Sequence, residues 1–298
     1  MWVSLAFLSA LMLGLYDVAK KQSLKANAVL PVLWLNTLFS SIIFLPALLD
    51  SATGCGWLTG TLFETASGTL HDHAVVFAKA VMVLSSWIFG YFGIKHLPIT
   101  IVGPINATRP VLTLVGAMLV FGERLNGYQW VGVILAILSL YLLSRSSKKK
   151  GVNFAHNRWI LCVAAAAIIG VGCGLYDRYI MKTMNAVFVQ SWYTLYQFLL
   201  MTIICAVLWL PKRNEQKFHW SWAIPMISIL LTTADMAYLH ALRDSAAMIA
   251  VVAMIRRSSV VVSFTCGAML FGERNLKAKA LDLLLILVGM IFLYIGSR

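Results

Sequence analysis

The sequence predicts an all-α polytopic membrane protein, with ten transmembrane helices arranged as two inverted five-helix repeats. Three observations predict it. Of 298 residues, 60% are apolar and only 12% are charged, and the mean hydropathy is +0.84. A soluble domain has about 45–50% apolar and about 25% charged residues. Ten apolar runs follow one another with short connections, and a bilayer helix needs about 20 apolar residues. Four short motifs recur in the same order in the two halves. The composition excludes a soluble globular enzyme, a disordered chain and a coiled coil.

The first run, 2–19, has no basic segment before it and ends in Lys20 and Lys21 instead of a small-residue cleavage site. It reads as a membrane helix and not a cleavable signal. The second run is 29–49. The longest connection, 50–73, is rich in Gly, Ser and Thr. The third, fourth and fifth runs are 74–94, 99–121 and 128–144. The most charged connection then holds Arg145, Lys148, Lys149, Lys150 and Arg158. It divides a first five-helix unit, 1–144, from a second, 158–298, with 145–157 as a basic linker. The second unit has runs at 158–176, 188–210, 221–242, 246–271 and 278–296.

The repeat rests on specific residues. Gly14-Leu15-Tyr16-Asp17 recurs as Gly174-Leu175-Tyr176-Asp177. Asn27-Ala28-Val29 followed by Trp34 recurs as Asn185-Ala186-Val187 followed by Trp192. Ser85-Ser86 before Tyr91 resembles Thr232-Thr233 before Tyr238, and Phe121-Gly122-Glu123-Arg124 recurs as Phe271-Gly272-Glu273-Arg274. One match could arise by chance; four in order indicate duplication. Five spans per unit is an odd number, so the second unit starts from the opposite side of the membrane. Inverted repeats place a substrate site between the halves and permit alternating access.

The formal net charge is +13. No basic run is interleaved with aromatics on a solvated segment, which argues against nucleic acid. The charge instead orients helices. With alternating spans, fifteen of the 24 lysines and arginines collect on one face and six on the other, the remaining three being intramembrane. The positive-inside rule puts the fifteen in the cytoplasm, and both termini and connection 50–73 outside. The expected location is a multi-pass plasma membrane protein, of the bacterial inner membrane, acting as a monomer or homodimer.

The five-plus-five pattern resembles the drug/metabolite transporter superfamily, EamA type. So do the Gly-Glu-Arg turn before the last span of each half and the Gly14-to-Lys21 ending of span one. The resemblance covers nearly the whole chain. It implies secondary transport of small metabolites, commonly amino acids, nucleobases or drugs and often proton-coupled, with both termini usually inside. The charge count opposes that last implication, and the expectation here follows the charge.

Ionisable residues deep in apolar spans mark the candidate site, because they are costly there and face a cavity or a partner. Arg109 lies in span four, and Arg256 and Arg257 lie in span nine. Aligned on the Gly-Ala-Met-Leu segments, Arg109 falls opposite Val260, one turn from Arg256 and Arg257. A guanidinium holds carboxylate or phosphate bidentately. Two readings compete: the arginines contact substrate, or they pair with the internal acids Asp235, Asp17 and Asp177. Asp235 is alternatively a proton-carrying carboxylate. His240 follows five residues on, as a proton-coupling candidate or a structural histidine. Gln190, Tyr193, Thr194 and Gln197 form one polar face of span seven. Asn36 sits in the matching span two. These read as a pocket wall, to which Trp87, Tyr91 and Tyr238 add aromatics, or as interhelical hydrogen bonding.

Other features carry less. Gly170-x-Gly172-x-Gly174 sits within a span and follows no strand, so helix packing outweighs a nucleotide loop. His71-Asp72-His73 has no further His or Cys cluster to complete a metal site. The five cysteines form no Cys-x-x-Cys pair. The sequence calls for no metal, no cofactor and no catalytic machinery. The resulting expectation is a secondary transporter of a small anionic or zwitterionic metabolite, such as an amino acid or organic acid, with a proton as the coupling candidate. The competing readings are an exporter of cationic drugs, a flippase of a lipid-linked sugar, and a membrane-embedded enzyme.

Overall fold

A computed structural model describes residues 2–98 apart from 26 and 62, scattered residues between 101 and 142, 157–213 apart from 182, 218–243, and 252–296 apart from 253, 254, 257 and 272–275. Nine α-helices are bounded within these residues: α1 Trp2–Ser23, α2 Val29–Ile43, α3 Leu45–Thr53, α4 Leu70–His96, α5 Arg158–Ile180, α6 Ala186–Leu208, α7 Ala223–Arg243, α8 Ser259–Phe271 and α9 Leu276–Gly296. Among the described residues five of them are long and apolar enough to cross a membrane, and α2 with α3, bent by 56° at their junction, would count as a sixth if the pair is one span. Runs 99–121 and 128–144 and linker 145–157 fall largely outside the described residues, as does the first Phe-Gly-Glu-Arg motif.

The burial pattern is that of helices with lipid outside. On α1, Phe7 and Leu11 are exposed, while Ala6, Ser9, Ala10 and Gly14 are buried. On α5, Leu161 and Ile168 are exposed, and Ala166 and Ala167 are buried. Small residues let backbones approach, and large apolar side chains face a solvent as apolar as themselves. Polar stripes likewise turn inward: Gln190, Ser191, Tyr193, Thr194 and Gln197 of α6 are all buried.

The bend between α2 and α3 has a local cause. Pro46 lacks an amide hydrogen and its ring opposes the carbonyl four residues back. The helix breaks at Phe44 and restarts, Leu48 donating to the Phe44 carbonyl at 2.9 Å. Gly54 then ends α3 in the left-handed conformation, φ 66°.

Repeated helices point opposite ways. Lys21, near the end of α1, donates to the carbonyls of Ile94 and Leu97 at the end of α4. Tyr176, near the end of α5, donates to Val75 near the start of α4. The two helices carrying Gly-Leu-Tyr-Asp therefore run in opposite directions along α4. The duplicated tryptophans repeat the inversion. Trp34 donates to Thr202 at 2.9 Å, and Trp192 donates to Ser51 at 3.0 Å, which sets α2–α3 antiparallel to α6.

The helices exchange partners between the halves. α1 packs on α7 and α8 from the second half, and α5 packs on α4 from the first. Ser9 donates to the Ala234 carbonyl across the first interface, and Ser86 to Ala166 across the second. Two bundles result, each built from both repeats, with α2 and α6 alongside.

The duplicated asparagines are used differently. Asn185 caps α6 by accepting from Val187 and Phe188. Asn27 makes no such cap; it pairs with the backbone of His219 in both directions, tying the α1–α2 connection to the segment before α7.

Candidate functional site

Between the two bundles lies a cavity of about 230 Å³. Its walls come from α1, α4, α5, α6, α7 and α8, together with Val102, Asn106, Arg109 and Arg256. Of the candidate residues, Arg109, Arg256, Trp87, Tyr91, Gln190, Tyr193, Tyr238, Asp235, Asp17 and Asp177 line it. Arg257 lies outside the described residues.

Three candidates sit elsewhere. Asn36 is fully buried, and both its backbone carbonyl and Oδ1 accept from Ser228 of α7. It is an interhelical tie between α2 and α7. Gln197 is buried on the same face of α6 as Gln190, two turns further along, and is not part of the wall. His240 bonds through Nδ1 to the Met236 carbonyl one turn back in α7.

The charges of the cavity form pairs. Arg256 Nη2 donates to Asp235 Oδ1, and the guanidinium lies 4.1 Å from the centre of the Tyr238 ring. Lys79 Nζ of α4 is 2.6 Å from Asp177 Oδ1 of α5, and 5.0 Å from the centre of the Tyr193 ring. Lys20 Nζ is 2.9 Å from Asp17 Oδ1, one turn away on α1, and lies 4.3 Å from the Tyr16 ring and 5.1 Å from the Tyr91 ring. Each ammonium thus meets a carboxylate and at least one aromatic face. That combination holds a cation where water is scarce.

This corrects the sequence reading on two points. Asp17 and Asp177 lie at the ends of the apolar runs 2–19 and 158–176. Their helices instead continue to Ser23 and Ile180, and both carboxylates line the cavity. Their partners are lysines, not arginines. In the charge count Lys20, just past run 2–19, and Lys79, near the start of run 74–94, fall on opposite membrane faces. Both are buried, at 8% and 5% exposure. Among the described lining residues, four cations (Lys20, Lys79, Arg109, Arg256) face three carboxylates (Asp17, Asp177, Asp235).

Arg109 rests against α5. Its Nη2 donates to the Ala166 carbonyl at 3.3 Å. Gly170 makes room for it: a Cβ there would lie 2.8 Å from Nη1 and 3.0 Å from Cζ. Gly174 and Gly170 both line the cavity, and only Gly172 approaches a neighbouring helix, through Met82. The glycine series therefore shapes the cavity wall as much as it packs helices. Gly170→Ala is expected to displace the guanidinium while the flexible arginine side chain absorbs the clash. Thermal stability should stay near that of the parent protein, as melting curves of the two proteins would show.

The His71-Asp72-His73 segment has a structural account. Asp72 completes a capping box with Thr69 at the start of α4. His73 bonds to the Tyr196 hydroxyl at 2.9 Å and packs edge-on to Trp192. No group of three metal-binding side chains occurs among the described residues.

Apolar membrane-spanning helices, two of which carry one duplicated motif in opposite directions beside a charged cavity, indicate a multi-pass membrane protein. Residues 1–145 match the EamA-like transporter family. That match is consistent with the drug/metabolite transporter superfamily, and members of the EamA-like family are membrane transporters. No curated protein matches the chain. A solved structure titled only as the crystal structure of a protein shares the fold. It has a TM-score of 0.68 at 14% identity and covers 100% of this chain and 98% of its own.

Proposed function

We propose that the protein is a secondary transporter that moves a small anionic or zwitterionic metabolite, an amino acid or organic acid, across the plasma membrane by alternating access. The observation that carries this reading is the cavity itself. It lies between two bundles that each combine helices of both repeats, and its described walls hold one more cation than carboxylate. Each carboxylate already has a cationic neighbour, so the walls offer a bare cation little attraction. A guanidinium at the wall suits a carboxylate, and Trp87 and Tyr91 offer apolar contact to a side chain or ring. The charge bias supports an orientation with both termini outside. A proton is the coupling candidate, with Asp17, Asp177 and Asp235 as its carriers.

Arg109 tests the ligand's charge. Lysine keeps the charge and loses the fork; alanine loses both. A hydrogen bond to a charged group contributes about 1.5–3 kcal/mol. Arg109→Lys should therefore weaken binding roughly tenfold and Arg109→Ala roughly a hundredfold, read by thermal shift against a panel of amino acids and organic acids. Equal affinity of parent and both variants for every stabilising compound would contradict the assignment.

A further inference from the structure

We propose that Lys21 is a latch that holds one end of the cavity shut. The two bundles meet where α1 and α4 both end. Lys21 Nζ donates to the carbonyls of Ile94 at 2.6 Å and Leu97 at 2.7 Å, with that of Lys95 at 3.4 Å. An ammonium has three donors. The final carbonyls of a helix lack partners within it and sit at the negative end of its dipole. Lys21 answers both needs, from a helix of the opposite bundle.

The neighbouring side chains reinforce the closure. Tyr16 of α1 donates to Tyr91 of α4 at 3.4 Å, and Lys20 lies over the Tyr91 ring. Lys79 and Asp177 mark the far end of the cavity, twelve residues before Tyr91 along α4, or about 18 Å. That pair joins α4 to α5 inside one bundle, so it does not bind the bundles together. The register of the two copies differs: Lys21 follows Gly14 by seven residues, and the residue seven after Gly174 is Met181. Opening the Lys21 end requires those hydrogen bonds to break, which biases the resting protein toward closure there.

Cys173 lines the cavity and reports on access. The test uses full-length protein with Cys55, Cys162, Cys205 and Cys266 replaced by serine or alanine, in sealed vesicles of each orientation. An impermeant maleimide is applied from the Lys21 side. Lys21→Met installs the residue that the second copy already carries at this place. It should raise the Cys173 labelling rate from that side about tenfold, within the 5–150-fold range of a conformational coupling. Lys21→Gln keeps two donors without the charge and should raise it less. Labelling is read without any substrate, so it is independent of the transport reading. Unchanged labelling in both variants, or in Lys21→Gln alone should Lys21→Met not fold, overturns the proposal.

Discussion

Asp235→Asn is expected to lower the thermal stability of the purified protein sharply. The carboxylate meets Arg256, and both side chains are mostly enclosed, at 16% and 18% exposure. Removing one member of a buried pair leaves the other charged without its partner and typically costs about 3–5 kcal/mol. The partial exposure of both side chains favours the low end of that range. The double variant Asp235→Asn/Arg256→Gln removes both charges and should recover most of the loss. A carboxylate that served only to carry a proton would behave differently. Asn would then leave folding intact, abolish proton-driven accumulation and spare exchange. Parent-like thermal stability of Asp235→Asn would therefore remove the structural role of the ion pair.

The second large effect separates two copies of one motif. At Gly14 a Cβ would lie 2.5 Å from Val262 Cβ and 2.8 Å from the Ser259 carbonyl oxygen. Neither is the loose end of a flexible side chain, so α1 and α8 must move apart. Overpacking of this kind costs about 1–3 kcal/mol. Gly174, the same residue of the second motif, has no heavy atom within 4 Å of its Cβ position. Alanine there should be neutral or stabilise the helix by about 0.5–1 kcal/mol. Melting temperatures of the two single variants give the comparison. Equal losses at both positions would contradict the packing described for α1 and α8.

Much of this architecture was legible in the sequence, because hydropathy and duplication are properties of the chain alone. An expected odd number of spans per half implies inversion, and α1 and α5, which carry the duplicated motif, run in opposite directions along α4. The polar face of α6 was legible from its spacing, since a bilayer leaves such a stripe nowhere to point but inward. The division of that face was not. Gln190 and Tyr193 reach the cavity while Gln197 lies further along, a difference set by where the cavity sits and not by periodicity.

The lysines were missed for a physical reason. A lysine near a span end reads as an interface anchor, and nothing local in the sequence signals that a carboxylate is waiting for it. Asp17 is one turn from Lys20 on α1, and that i, i+3 spacing was the available signal. Lys79 pairs with Asp177 across 98 residues of chain, and only tertiary contact reveals the pair. Duplication also misled where it was imperfect. Asn27 and Asn185 repeat in sequence, yet one caps a helix and the other ties two connections together.

The measurement that reaches the central claim most directly is uptake by proteoliposomes containing the purified full-length chain. Counterflow is followed with radiolabelled amino acids and organic acids in turn, and each is challenged with unlabelled amino acids, organic acids and a quaternary ammonium compound. A cavity with a guanidinium at its wall, and with more cations than carboxylates among its described lining residues, predicts saturable uptake of at least one carboxylate-bearing solute. Other carboxylates should compete for it, and Arg109→Ala should weaken it. Transport of the quaternary ammonium compound, with no inhibition by any amino acid or organic acid, would contradict that prediction.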